Sequence, residues 1–329
     1  MATGKLLRQL IKTGIEGDTD AFRETSQRVI EEERQKQHHL LANDLERILY
    51  GTTPASGRSA SSAHLTAPTD RERNLPLLSI REPLRRMDDV VLSDETHSAL
   101  EELLQEHHHT ERLASYGLRA ADRLLFYGPP GCGKTLTSEV IASELGMPLA
   151  IVRIDAVVSS YLGETASNLR KVFEFAATHS VVLLFDEFDA LAKERADESE
   201  HGELRRVVNA VVQMMDEYAG KSVLIAATNH ESILDSAIWR RFEEILHFEQ
   251  PNLEQLRRLL TLKLRGVRRE FEPDDAKVAN LFKGMSHADV ERVLRRAIKA
   301  MILAGQEFLS IRFLKEALRR ERPRHQQDS

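Results

Sequence analysis

Eight residues constrain this chain more than any others. Gly128-Pro129-Pro130-Gly131-Cys132-Gly133-Lys134-Thr135 follows a short apolar run, Leu124 to Tyr127, and opens a segment of helical character beginning at Leu136. A GxxxxGK[ST] string in that context lets backbone N–H groups curl inward around phosphate oxygens. The amino end of the helix adds partial positive charge at the same spot. In such a loop Lys134 reaches the outer phosphates of a nucleotide and the Thr135 hydroxyl ligates Mg²⁺. A Gly/Pro-rich turn matched by accident would not need a strand before it and a helix after it.

The rest of the chain supplies the strands and helices that such a loop requires. Leu124 to Tyr127, Leu149 to Ile154, Val181 to Phe185, Val223 to Thr228 and Ile245 to Phe248 are short apolar runs without period-two alternation. Runs of that kind suit parallel strands covered on both faces. Helical stripes lie between them, as with Leu169, Val172, Phe173 and Ala176. The expectation is an α/β fold with a doubly wound, parallel, five-stranded sheet over residues 75–250. After Pro251 the spacing is helical throughout, which predicts a separate helical lid over 251–329. Ahead of the sheet, Leu6, Leu7, Leu10 and Ile11 and then Leu41, Leu45, Ile48 and Leu49 predict a helical region over 1–50 that recruits a partner. Residues 51–74, rich in Ser, Thr, Ala, Gly and Pro, read as a flexible linker.

Composition narrows the function classes. A net charge of −6 lacks the basic footprint of a dedicated nucleic-acid binder, so no nucleic acid is expected as a partner. Cys132 is the single cysteine, which rules out an intramolecular disulfide and fits a cytoplasmic setting. Lys5, Arg8 and Lys12 interrupt the leucines of the amino end, unlike a signal peptide, and no apolar run is long enough for a membrane span. His107, His108 and His109 are consecutive and therefore do not share a helix face, which disfavours a metal site there.

The strand Val181 to Phe185 ends in Asp186-Glu187. Burying the strand drives both acids to the carboxyl edge of the sheet, where open α/β sheets bind ligands. Asp186 suits Mg²⁺, and Glu187 suits polarisation of an attacking water. Asn229 follows the strand Val223 to Thr228, where it either orients water at a γ-phosphate or caps an Asx turn.

With these elements in order, residues from about Val90 to Leu318 resemble the AAA family of P-loop ATPases. Gly128 to Thr135 matches Walker A, Val181 to Glu187 matches Walker B, and Ala226 to Asn229 matches sensor 1. The resemblance implies ATP and Mg²⁺ as cofactors, and places the sensor strand between the two Walker strands. Leu234 to Phe242 is similar to the second region of homology, which implies that Arg240 and Arg241 act as fingers on a neighbouring subunit in a homo-oligomeric ring, usually a hexamer. Without the family, the same two arginines are equally cations near a helix end. Ser286-His287-Ala288-Asp289 is similar to the sensor-2 segment that approaches nucleotide, with His287 in place of the usual glycine. Ser160-Tyr161-Leu162-Gly163-Glu164 matches the first pore loop, which implies that Tyr161 grips a protein substrate, with Leu162 and Gly163 completing the tip. The amino-terminal pattern of Gly4-Lys5, Ile15 to Asp18 and Phe22 resembles bacterial ATPases encoded beside a subtilisin-like serine protease in phage-defence cassettes. Three functions then compete: a protein-remodelling motor, a nucleotide-gated switch for an effector, and a nucleic-acid loader that the acidic balance disfavours.

Overall fold

The structure is a computed structural model that describes residues 25–29, 32, 65–71, 73–158, 162–189, 210–230 and 236–325. The chain divides into two compact units, Met1–His64 and Leu65–Ser329. In the first, residues 25–29 and 32 are helical, and the two leucine stripes expected there lie outside the described residues.

The second unit is built on one mixed sheet. Its strands are β1 (Leu78–Arg81), β2 (Arg123–Tyr127), β3 (Leu149–Val152), β4 (Val182–Phe185), β5 (Val223–Thr228) and β6 (Glu244–His247). They run in the order β1-β3-β4-β5-β2-β6. Five strands are parallel as the apolar runs predict, but the sheet has a sixth, because β1 adds antiparallel to β3 at the edge. Its four residues, Leu-Ser-Ile-Arg, carry no apolar run, and an edge strand does not need one. The expected strand from Leu149 to Ile154 also stops early, since Ile154 opens a short helix, α4 (Ile154–Val157).

Why the runs do not alternate is now plain. Leu183, Phe185, Leu224 and Ala226 face a core that includes Leu169, Val172 and Phe173 of helix α5 (Leu162–Thr178). Val182, Leu184, Val223 and Ile225 face the opposite core, with Leu100 and Leu103 of α1 (Asp94–His108) and Ile141 of α3 (Lys134–Glu144). Each of these β4 and β5 residues is buried on one side or the other, so each must be apolar. Burying each such Leu, Val or Phe contributes ~1.5–3 kcal/mol before entropy is set against it. Between α1 and β2 lies α2 (Thr110–Ser115).

At the end of the expected linker, residues 65–71 and 73–74 pack within the second unit. Asp70 Oδ1 accepts from Arg73 N at 2.7 Å, and the carbonyl of Thr69 accepts from Lys171 Nζ at 2.8 Å. Leu65, Ala67 and Leu75 pack against the α5-side core.

Beyond β6 the chain is helical: α7 (Leu253–Lys263), α8 (Ala276–Ala279), α9 (His287–Leu303) and α10 (Ile311–His325), with α6 (Ser236–Trp239) preceding β6. These carboxyl-terminal helices bury a core of their own around Leu256, Leu260, Phe282, Val290, Val293, Leu294 and Leu314. Among the described residues, no helix is long and apolar enough to cross a membrane.

Candidate active site

The sheet register brings the functional loops together. Tyr127 of β2 pairs with Thr228 of β5, and Phe185 of β4 pairs with Ala226 of the same strand. The next residues along, Gly128, Asp186 and Asn229, therefore leave the sheet at one edge. β5 lies between β2 and β4, as the resemblance implies for the sensor strand.

Gly128 has φ 136°, and a Cβ there would meet the Phe248 carbonyl oxygen at 2.1 Å. No side chain is tolerable at that point, which is where the loop leaves β2. Lys134 is 7% exposed, and its Nζ donates to the carbonyls of Gly128 at 2.7 Å and Pro129 at 2.9 Å. Burial pushes its ammonium below the usual lysine range, while Cys132, Asp186 and Asp189 oppose that shift. Those two carbonyls hold the cation at the mouth of the loop.

Thr135 Oγ1 donates to Asp186 Oδ2 at 2.7 Å. A hydroxyl and a carboxylate in direct contact form a hard oxygen donor pair of the kind Mg²⁺ takes alongside phosphate oxygens and water. Thr135 and Asp186 thus fit the ion. Glu187 adopts φ 52°, the left-handed region that a non-glycine residue enters at a cost of ~1–3 kcal/mol. Its N–H donates to Asp186 Oδ1 at 3.1 Å, which offsets part of that strain. The turn sets Glu187 in the wall of the same cavity as Lys134, Thr135 and Asn229.

Sequence reasoning missed Asp189. It is 5% exposed, and its Oδ1 accepts from Thr228 Oγ1 at 3.1 Å and from Asn229 N at 3.2 Å. Phe188 N also donates to the Ala227 carbonyl at 2.8 Å. The turn after β4 is thereby tied to the end of β5, fixing Glu187 relative to Asn229. An acid three residues beyond Asp186 was the available signal.

The cavity, about 380 Å³, extends away from the phosphate loop between Asp89 to Leu92 and the carboxyl-terminal helices. Pro130, Gly131, Cys132, Gly133 and Leu136 line it, as do His287 and Ala288 of α9 and Leu259 and Lys263 of α7. Cys132 is 2% exposed, and burial pushes its thiol up, which keeps it a neutral filler. Burial pushes the His287 imidazole down, so the ring is neutral at pH 7. Both of its ring nitrogens are buried without a hydrogen-bond partner, and the nearby Val91 backbone favours a ring proton without reaching bonding geometry. Such a ring suits a ligand with its own donor or acceptor. Lys263 Nζ bonds Glu291 Oε2 at 2.7 Å beside it.

Arg240 and Arg241 do not line this cavity. Arg241, half-exposed, pairs with Asp216, which also lies 3.9 Å from Arg123 Nη1. Trp239 meets Tyr127 edge-on with ring centroids 5.0 Å apart, fixing the arginine segment against β2. Tyr161 lies outside the described residues, and Leu162 and Gly163 open helix α5. His107 Nε2 bonds the Ala121 carbonyl at 2.8 Å, a structural contact.

Fold and cavity together define a doubly wound α/β protein with a phosphate-loop pocket at the carboxyl edge of its sheet. Residues 124–250 match the model for the ATPase family associated with various cellular activities (AAA). Over 98% of the chain, the sequence is 41% identical to an uncharacterized AAA family ATPase, y4kL, of Sinorhizobium fredii, covering 96% of that protein. It is 31% identical over 64% of the chain to a protein named as a 26S proteasome regulatory subunit homolog in Methanocaldococcus jannaschii, covering 59% of it. A further relative, ATP-dependent zinc metalloprotease FtsH 1 of Thermomicrobium roseum, is 30% identical over 72% of the chain and 38% of its own length. The chain belongs to the AAA family of ATPases.

Proposed function

We propose that this chain is an ATP-hydrolysing motor that works as a ring and remodels protein substrates. The observation that carries the reading is one cavity wall holding Lys134, the Thr135–Asp186 pair, Glu187 and Asn229. In this reading Lys134 turns from its two carbonyl partners to the β- and γ-phosphates of ATP. Mg²⁺, when bound, neutralises charge developing on the phosphates. Glu187 orients and deprotonates the attacking water, and Asn229 holds that water or a γ-phosphate oxygen in line. His287, Ala288 and the carboxyl-terminal helices close over the base as a lid.

Arg240 and Arg241 sit outside their own pocket, which supports their service to a neighbour's γ-phosphate in a ring, a hexamer by family precedent. Tyr161, with Leu162 and Gly163, would then grip an extended polypeptide in the central channel. Two relatives, one named as a proteasome regulatory subunit homolog and the other as an ATP-dependent zinc metalloprotease, support protein as the substrate and proteolysis as the setting. Partnership with a subtilisin-like serine protease in phage defence rests on the amino-terminal pattern alone.

The test is steady-state ATP turnover with and without an unstructured protein, for the wild type, Lys134→Ala and Tyr161→Ala. The motor reading expects stimulation by the polypeptide. It expects ATP binding to fall ~10–100-fold in Lys134→Ala, the loss of a charged hydrogen bond. Tyr161→Ala should hydrolyse ATP yet fail to unfold a tagged substrate. Stimulation by DNA instead, or unchanged unfolding by Tyr161→Ala, overturns the remodelling reading.

A further inference from the structure

Helix α10 carries a fully buried carboxylate that the chemistry above does not use. Glu321 is 0% exposed, and two arginines of α9 converge on it, Arg292 Nη1 at 2.8 Å and Arg296 Nη1 at 2.7 Å. A carboxylate removed from water is stable only when paired this closely, so the geometry around it is sharply specified. The same Arg292 Nη1 reaches Asp289 Oδ1 at 3.0 Å. The other oxygen of Asp289 accepts from Ser286 Oγ at 2.7 Å and Ser286 N at 3.3 Å, while Ser286 Oγ accepts from Asp289 N at 3.2 Å. That reciprocal capping box fixes the first turn of α9.

The first turn of α9 is itself docked on the phosphate loop. Ala288 N donates to the Gly131 carbonyl at 3.0 Å. A Cβ on Gly131 would stand 2.8 Å from Ser286 Oγ and 3.0 Å from the Ala288 Cβ, so the Ser286 and Ala288 side chains pack where only a glycine leaves room. The contacts run from Glu321 through Arg292 and Asp289 to Ser286, and Ala288 in the same turn of α9 bonds Gly131.

We propose that Arg292 and Glu321 are positioning residues for nucleotide. Acting through Asp289, they set how the amino end of α9 bears on the phosphate loop, and so set ATP affinity from a site on the last helix. The inference rests on the nucleotide-binding reading given above.

Arg292→Met is the first variant, because this side chain is 47% exposed and its loss leaves the apolar core intact. Glu321→Gln and the double variant complete a cycle. Fluorescent ATP-analogue binding and thermal unfolding are measured on each full-length protein. The expected result is a Kd raised about fivefold by each single change, the scale of a lost helix cap. The double variant should match the larger single effect, because both residues act through one line. Arg292→Lys, which keeps the charge, should recover part of the affinity.

Variants that unfold at lower temperature yet bind ATP like the wild type would make the network purely structural and overturn the proposal. So would a double variant whose loss is the product of the singles. A wild type that binds no nucleotide would instead sink the motor reading beneath it.

Discussion

The phosphate end of the pocket and the Arg240–Arg241 segment are built by neighbouring strands, yet they are finished to different degrees. At the phosphate end each group has a partner that fixes it: Lys134 on two carbonyls, Thr135 on Asp186, the Asn229 backbone on Asp189. The arginine segment is anchored through its apolar residues, Ile238 and Phe242 in the core and Trp239 on Tyr127, while the Arg241 side chain rests half-exposed on Asp216. Exposed pairs of that kind are worth little, ~0–1 kcal/mol, and are easily exchanged. In the proposed reading the contrast means that binding is a property of one chain, whereas full turnover takes a cation from a second copy.

The sharpest way to break this comparison is Arg241→Ala. In the assembled protein it should cut turnover ~10³–10⁵-fold, the range for a finger supplied by a neighbour, with ATP affinity near wild type. Equal loss of binding would place the arginine in its own pocket after all. Next comes Glu187→Gln, expected to reduce turnover ~10²–10⁴-fold while ATP still binds, measured in single-turnover assays. Smaller is Asp189→Ala, which strands the Thr228 hydroxyl and the Asn229 N–H. A stability loss of ~1–3 kcal/mol in urea titration is expected, together with slower turnover. Unchanged turnover would remove Asp189 from its role in holding Glu187 against Asn229.

Much of this site was legible because its parts are local. The loop from Gly128 to Thr135 and the acids ending β4 each carry their own strand and helix signals within a few residues. The doubly covered sheet was legible for the same reason, since burial on both faces leaves β4 wholly apolar and β5 apolar up to Thr228. What escaped depends on neighbours far apart in sequence. The spacing of Asp189 from Asp186 was the one local hint, and its grip on Thr228 and Asn229 depends on the register of β4 against β5, which no short stretch of sequence carries. Val90, Val91 and Lys263 meet across more than a hundred and fifty positions to form the far end of the cavity. Edge strand β1 escaped because edge pairing asks little of side chains.

The most direct measurement mixes two damaged proteins. Arg241→Ala keeps an intact Glu187 but offers no finger, and Glu187→Gln offers the finger but no base. If catalysis is shared between copies, the mixture places a sound Glu187 opposite a sound Arg241 at some interfaces, and ATP turnover should rise well above that of either variant alone. A mixture as inactive as its components, under conditions where the two variants are shown to co-assemble, would contradict the account.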